Sequence, residues 1–237
     1  MGLVASLFSA APVLAAGNSQ GQSSVDPAGP AAQHIADLFW IVMVPALLVL
    51  VVVGSAILYT AFHFRERDGE TRVPRQVGGN NALELTWTLV PALILAGILI
   101  LSFTQMPFLR HSPQPDAMHI KVIGRQWAWS FEYPGKTAKG APITQFGTMV
   151  IPVGEVVNLD IESKDVIHSW SVPRLGGRMD AIPGQHNTTW VEADRVGVYY
   201  GQCTEFCGLS HSAMTVKVQV LSKADFDAWF NKLQGGA

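Results

Sequence analysis

Residues 200–214 read Tyr-Gly-Gln-Cys-Thr-Glu-Phe-Cys-Gly-Leu-Ser-His-Ser-Ala-Met, and both cysteines of the chain, Cys203 and Cys207, lie there. His211 follows four residues after the second cysteine, and Met214 three after that. Thiolate, imidazole and thioether form a soft ligand set that favours copper; cysteine, histidine and a weak axial methionine are the ligand types of copper electron-transfer sites. A mononuclear site of that kind needs one cysteine. Two cysteines offer thiolates that could bridge a pair of metal ions, and a second imidazole is then wanted; His168, in Asp165-Val-Ile-His168-Ser-Trp, is the candidate. Three other chemistries compete. The cysteines could form a disulfide in an oxidising compartment. Zinc could take two cysteines and two histidines, but has little use for a thioether. A membrane-anchored thiol–disulfide protein for copper delivery would use the cysteine pair and a distant histidine, with no role for Met214 or for Glu205 between the cysteines.

Elements must bring these residues together. The chain is 49% hydrophobic and 14% charged, against about 25% charged in a typical soluble protein. Mean hydropathy is +0.25, which points to a membrane-associated chain. A net charge of −2 gives no reason to expect nucleic acid as a partner. Residues 38–62 and 85–109 hold no charged side chain, and each run exceeds the roughly 20 residues that cross a bilayer as a helix. The pattern therefore predicts a transmembrane hairpin over 38–109, with a connecting loop at 63–84. Membrane helices tolerate the prolines inside the spans, Pro45 and Pro91, when neighbouring groups satisfy the freed carbonyls. The loop carries Arg65, Arg67, Arg72 and Arg75, whereas no Lys or Arg precedes it. The positive-inside rule then puts the loop in the cytoplasm, and the N-terminus and everything after Arg110 outside.

Residues 1–16 are small and apolar and end Pro-Val-Leu-Ala-Ala. They read as a secretory signal peptide without its basic n-region, cut near Ala15 or Ala16. Residues 17–37, opening with a Gly-, Ser-, Gln- and Pro-rich stretch, read as a flexible leader. Asn81-Ala-Leu-Glu84 predicts a capping box at the second span, with Asn81 as N-cap and Glu84 at N3.

Roughly 130 residues remain after the spans, which suits one domain. Short β-branched and aromatic runs predict strands at 118–123, 126–132, 147–152, 155–162, 166–172, 187–192, 196–201 and 213–221, separated by Pro and Gly turns. A sandwich or barrel follows. Trp127 and Trp129, two apart on one predicted strand, should share a face. Ser222-Lys-Ala-Asp225 predicts the cap of a closing helix over 223–233, with Phe226, Trp229, Phe230 and Leu233 on one side.

The stretch Cys203-x-Glu205-x-Cys207-x-x-x-His211-x-x-Met214, with His168 upstream, resembles the CuA site of subunit II of haem–copper cytochrome c oxidases. Other segments resemble that family in the same order: Leu83-Glu84-Leu-Thr-Trp87-Thr-Leu-Val-Pro91, Gly124-Arg-Gln-Trp127-Ala-Trp129-Ser-Phe-Glu-Tyr133, Asp165-Val-Ile-His168-Ser-Trp-Ser-Val-Pro173 and Asp180-Ala-Ile-Pro-Gly184. The resemblance runs from about residue 35 to the C-terminus. It implies a two-helix transmembrane hairpin bearing an all-β, cupredoxin-like Greek-key sandwich over 110–237, with a short C-terminal helix. It also implies bridging thiolates from Cys203 and Cys207 in a dinuclear copper centre, imidazoles from His168 and His211, a weak thioether from Met214 and the backbone carbonyl of Glu205. The Glu205 side chain resembles the family's ligand to a magnesium ion shared with the catalytic subunit. Trp127 resembles the tryptophan through which electrons arrive from cytochrome c, and Glu84 a carboxylate at the mouth of a proton channel. The implied partners are the catalytic haem–copper subunit I, subunit III, a cytochrome c donor and membrane lipid. The implied location is a bacterial inner membrane, with the N-terminus and the β domain periplasmic.

The chain departs from the family pattern in charge. Residues 107–237 hold 12 Lys+Arg and 12 Asp+Glu, where the family usually presents a cluster of carboxylates to a basic cytochrome. Lys164 adjoins Asp165, Lys136 and Lys139 follow Tyr133, Arg125 stands where the family has a histidine, and Ala128 replaces an aromatic residue. A weakly charge-driven encounter with the donor is expected. A quinol-oxidase version of this subunit should lack the copper ligands. His34, His63, His111, His119 and His186 show no ligand spacing.

Overall fold

The computed structural model describes residues 22–65, 76 and 78–235. The expected signal peptide and three of the four loop arginines, Arg67, Arg72 and Arg75, lie outside them. Asp37–Pro107 form one compact unit; the chain before and after them forms the other.

The first unit holds most of two long helices, α1 (Pro30–His63) and α2 (Asn81–Arg110). Their apolar windows have mean hydropathies of 2.9 and 2.2 and bury none of their residues inside the protein. Side chains this apolar with no protein over them need hydrocarbon as solvent. The α2 cap is shifted one residue from the expected position. Asn80, not Asn81, is the N-cap: its Oδ1 accepts from the backbone N–H of Ala82 (3.1 Å) and of Leu83 (3.2 Å). The Asn80 N–H in turn donates to Glu84 Oε1 at 3.2 Å. The reciprocal logic of a capping box survives with Glu84 one position further into the helix.

The second unit is a β-sandwich of β1 (Met118–Arg125), β2 (Ala128–Lys136), β3 (Pro142–Phe146), β4 (Thr148–Pro152), β5 (Val157–Ser163), β6 (His168–Ser171), β7 (Arg178–Ala181), β8 (Asn187–Val191), β9 (Gly197–Gln202) and β10 (Thr215–Leu221). One sheet has the order β3-β2-β1-β5-β8, the other β4-β10-β9, and β6 pairs with β7 alone. The pairs β1–β5 and β4–β10 are parallel and far apart in sequence, so the chain crosses between sheets as a Greek key does. Period-two alternation sends Ile120 and Val122, Trp129 and Phe131, and Val216 and Val218 into one core. Each large side chain buried there contributes roughly 1.5–3 kcal/mol. The closing helix α3 (Lys223–Gln234) starts as expected, with Ser222 Oγ accepting from the Asp225 N–H at 3.2 Å. Its Trp229 and Phe230 rings lie 5.3 and 6.0 Å from Tyr133.

Two strands were not legible. β3 opens on Pro142 and is an edge strand, and β7 is four residues with a charged, half-exposed pattern. Edge strands need little apolar alternation, so their signal is weak.

The leader differs most from expectation. Composition predicted flexibility through residue 37, yet the described residues 22–36 pack against the sandwich. Ala28, Ala31, Ala32 and Ala36 are buried. The Ala28 N–H donates to the Arg174 carbonyl (2.7 Å), and the Asp194 N–H donates to the Ala28 carbonyl (2.9 Å). Arg174 pairs with Asp26 at 2.9 Å. A β-carbon on Gly29 would stand 2.0 Å from the Glu192 carbonyl oxygen, so only glycine permits this approach. Small residues, read in sequence as a sign of disorder, are here the condition for close backbone contact.

Candidate metal centre

Three segments converge at one pole of the sandwich. β6 opens on His168, the loop after β9 carries Cys203, Glu205 and Cys207, and a 3-10 turn at His211–Ala213 leads through Met214 into β10. Backbone hydrogen bonds fix their approach. The Cys203 N–H donates to the Met214 carbonyl (2.9 Å) and the Thr204 N–H to the Ser169 carbonyl (3.0 Å). His168, Cys203, Cys207 and Met214 are all buried.

Cys203 and Cys207 are free thiols whose sulfurs stand 3.9 Å apart. Cys203 Sγ lies 3.9 Å from His168 Nδ1 and 3.2 Å from the Glu205 carbonyl oxygen. Cys207 Sγ lies 3.4 Å from His211 Nδ1 and 3.7 Å from Met214 Sδ. The imidazole and thiol donor atoms of His168, Cys203 and Cys207 all fall within 4.8 Å of one another. Two thiolates sharing an ion at about 2.3 Å and a near-tetrahedral angle stand about 3.8 Å apart, so the sulfur spacing suits bridging of a common metal. The donor set of two thiolates, two imidazoles, a thioether and a carbonyl is that of a copper site. All six sequence candidates are thus brought together. Among the described residues the β domain runs through ten strands before its closing helix, which does not fit the alternating helices and strands of the thioredoxin-type reading.

Asp165 is a residue whose role the sequence reading missed. Its Oδ1 lies 2.8 Å from His168 Nε2. A carboxylate accepts only, so Nε2 carries the proton and Nδ1 turns its lone pair toward Cys203. The Asp165 carboxyl titrates below the ordinary range. Partial burial acts to raise it, but the Gln126 N–H, the His168 ring and the Val166 N–H together outweigh that. The spacing Asp165-x-x-His168 was the available signal. Asp165→Asn is expected to weaken copper binding about 10–100-fold, the range for outer-shell partners of metal ligands, while thermal stability changes little. Competition titration with a copper chelator checks this.

Burial is the main reason the Cys207 thiol is pushed up to about 11, with the Cys203 thiol adding to it. Copper takes thiolate, so loading must displace protons. A raised thiol holds its proton below about pH 11, so apparent copper affinity is expected to rise with pH between roughly pH 6 and 9. An indicator dye in weak buffer should record proton release on loading; copper uptake without it contradicts the assignment.

Trp127 does not lie on a strand. Gln126 and Trp127 form the two-residue turn between β1 and β2, so Trp127 and Trp129 do not share a face as expected. Trp129 is 1% exposed and its ring lies 5.9 Å from His168, whereas Trp127 is 37% exposed. The Trp127 Nε1–H donates to the Cys207 carbonyl at 3.2 Å, as does Gln126 Nε2 at 2.7 Å. The Gln126 N–H donates to Asp165 Oδ2 at 2.7 Å. One exposed indole is therefore a single hydrogen bond from Cys207. The Glu205 carboxylate is half-exposed and 3.5 Å from Arg178 Nη2. Glu84 lies on α2 and takes no part in this cluster.

The family profile described as "Cytochrome C oxidase subunit II, periplasmic domain" matches residues 143–221, which include every residue of the cluster. The profile described as "Cytochrome C oxidase subunit II, transmembrane domain" matches residues 17–105. Cytochrome c oxidase subunit 2 of Alkalihalophilus pseudofirmus is 37% identical over 212 residues, 87% of this chain and 60% of that protein. The chain thus spans about three-fifths of that relative's length. The subunit 2 proteins of Cereibacter sphaeroides (33% identical, 86% of this chain, 76% of that protein) and Arabidopsis thaliana (31%, 86% and 86%) also match. Among solved structures, the periplasmic domain of subunit II of cytochrome oxidase from Bradyrhizobium japonicum is 33% identical, with a TM-score of 0.45 over 51% of this chain and 96% of that one. Matches at both ends of the chain, and relatives of which it covers more than three-quarters, establish that this chain belongs to the cytochrome c oxidase subunit II family.

Proposed function

We propose that this chain is the electron-accepting subunit of a respiratory cytochrome c oxidase. Cys203 and Cys207, with His168, His211, Met214 and the Glu205 carbonyl, would hold a dinuclear copper centre of the CuA type. That centre, when bound, takes up and releases one electron at a time. The rest is the work of the chain's own residues. Asp165 holds His168 in one tautomer and orientation, which preorganises the site. The burial of Cys203, Cys207, Met214 and His168 excludes water, so little solvent rearranges when the charge changes. Trp127 offers cytochrome c an exposed aromatic surface joined to Cys207 through its carbonyl. The electron acceptor would be haem in a catalytic subunit I, which would reduce oxygen to water and pump protons, with subunit III completing the assembly. The Glu205 carboxylate, 3.5 Å from Arg178, would hold a magnesium ion shared with the catalytic subunit. Glu84 stands at the mouth of a proton channel, and Glu84→Gln should lower turnover there without moving the copper spectrum. The β domain and the N-terminus face the periplasm of a bacterial inner membrane.

The observation that carries this reading is the pair of buried free thiols 3.9 Å apart with imidazole, thioether and carbonyl around them. The test is an optical and EPR spectrum of the full chain loaded with copper in detergent. A multi-line signal from one electron shared by two coppers is expected. A single-copper signal, or no copper with Cys203 and Cys207 oxidised to a disulfide, overturns it.

Charge at this pole supports a weakly steered encounter. Glu162 is held by Lys121 (3.2 Å) and Lys164 (2.6 Å) and Glu205 by Arg178, while Asp165 is engaged by the His168 ring and the Gln126 N–H. Phe206 and Leu209, 78% and 93% exposed, add apolar surface beside the ligands. The association rate with donor cytochrome is expected to change less than about threefold between roughly 50 and 200 mM salt. Stopped-flow mixing over that range measures it, and a steep fall contradicts the reading.

A further inference from the structure

The turn that presents Trp127 is flanked by Arg125 and Ala128, which pair across β1 and β2. Arg125 is exposed, and among the described residues its guanidinium has neither an ion-pair nor a hydrogen-bonding partner. The carboxylates around the turn are already committed. Asp165 accepts from the Gln126 N–H at 2.7 Å and meets the His168 ring at 2.8 Å, and Glu205 faces Arg178. Glu162 is shared by Lys121 and Lys164, and two ammonium groups on one carboxylate leave a positive excess. Lys164 is held beside the turn, because its N–H donates to the Gly124 carbonyl at 3.1 Å.

Arg125 also borders an open cavity of about 290 Å³, with Ala128, Ser130, Phe146 and Glu132 in its wall. Glu132 does not neutralise Arg125. It stands opposite Lys121, four residues before Arg125 on β1, about 13 Å away along the strand. That exceeds the roughly 8 Å over which exposed charges feel each other at physiological salt. The nearby surface is apolar: Phe146 is 78% exposed, and Val166 and Ile167 are also exposed. An apolar surface with one uncompensated cation suits a partner that brings an apolar face and a carboxylate. A guanidinium fork pairs with a carboxylate through two parallel hydrogen bonds, and an ammonium in the same place would be repelled.

We propose that Arg125 selects an acidic electron donor: a c-type cytochrome with a carboxylate beside its exposed haem edge, seated on Trp127 with that carboxylate on Arg125. This rests on the reading above that the donor meets the chain at Trp127, and it names the chemistry of that donor. The β domain is balanced in charge as a whole, so the sign of the local surface decides the preference. One short-range pair leaves the salt dependence of the encounter shallow.

The test compares a basic cytochrome c, with lysines around its haem edge, and the same cytochrome after succinylation, which turns those ammonium groups into carboxylates. Each is offered to the copper-loaded full chain in detergent at about 50 mM salt. Association is read twice, by binding kinetics on the immobilised chain and by stopped-flow reduction of the copper centre. The parent chain is expected to bind the succinylated form about fivefold faster, the upper value for one exposed ion pair. Arg125→Gln should lose most of that preference, and Arg125→Glu should reverse it. Arg125 is exposed and outside the ligand set, so the copper spectrum should not move in either variant. Equal association of the two forms with the parent chain, or a preference that survives Arg125→Glu, overturns the proposal. A preference that holds in binding while neither form reduces copper upholds the docking and overturns the electron-entry reading instead.

Discussion

Cys207→Ser is expected to eliminate the copper pair and reduce electron input from cytochrome c to background, with the fold retained. Cys207 is the hub of the cluster. Its sulfur lies within 3.9 Å of Cys203 Sγ, His211 Nδ1 and Met214 Sδ, and its carbonyl accepts from both Gln126 and Trp127. Serine preserves the carbonyl and nearly the volume, but a hydroxyl is a hard donor that does not replace a bridging thiolate. The loss should exceed the roughly 10–100-fold that removal of an outer hydrogen-bonding partner causes, which separates it from Asp165→Asn. Copper content by elemental analysis and the rate of reduction by cytochrome c are the measurements. A variant that keeps both coppers and normal reduction would exclude Cys207 as a bridge.

Gly201→Ala is expected to lower stability by about 3 kcal/mol, the upper range for overpacking a tight interior, and the melting temperature by about 10 °C. Gly201 lies in β9, two residues before Cys203, and its place for a β-carbon is taken. An added methyl would stand 1.9 Å from the Ser171 carbonyl oxygen of β6 and 2.9 Å from a Val172 methyl. The obstruction is backbone and cannot rotate away. β9 leads directly into the loop that carries the cysteines and β6 opens on His168, so prying the two strands apart also widens the metal cluster. Thermal unfolding of the full chain, with and without copper, reads both effects. A melting point within about 2 °C of the parent would mean that the strands part freely.

What the sequence made legible was what local pattern encodes. Two uncharged runs announce α1 and α2. The spacing Cys203, Cys207, His211 and Met214 places four donors on one short segment, and His168 needs only a strand to carry it there. What stayed hidden depends on contacts between distant segments. Asp165 reads as a surface acid until His168 is seen 2.8 Å away. Trp127 reads as a strand residue until β1 is seen to end at Arg125 and β2 to begin at Ala128. The cap of α2 slipped by one because Asn80 and Asn81 are equivalent as letters, and only the hydrogen bonds to Ala82 and Leu83 distinguish them. β3 and β7 lie at edges, where neither face demands a continuous apolar pattern.

The contact between the leader and the sandwich has a consequence for insertion. Residues 22–36 and those from Phe108 onward fold into one body, so they must reach the same aqueous compartment. Between them the chain must traverse the bilayer an even number of times, and α1 and α2 supply two crossings. This parity holds whatever the arginines of the loop do. It makes correct threading of both helices a precondition for completing the β domain, because the staple formed by Asp26, Ala28 and Gly29 can engage Arg174, Glu192 and Asp194 only once the N-terminal tail and the β domain are on the same side of the bilayer.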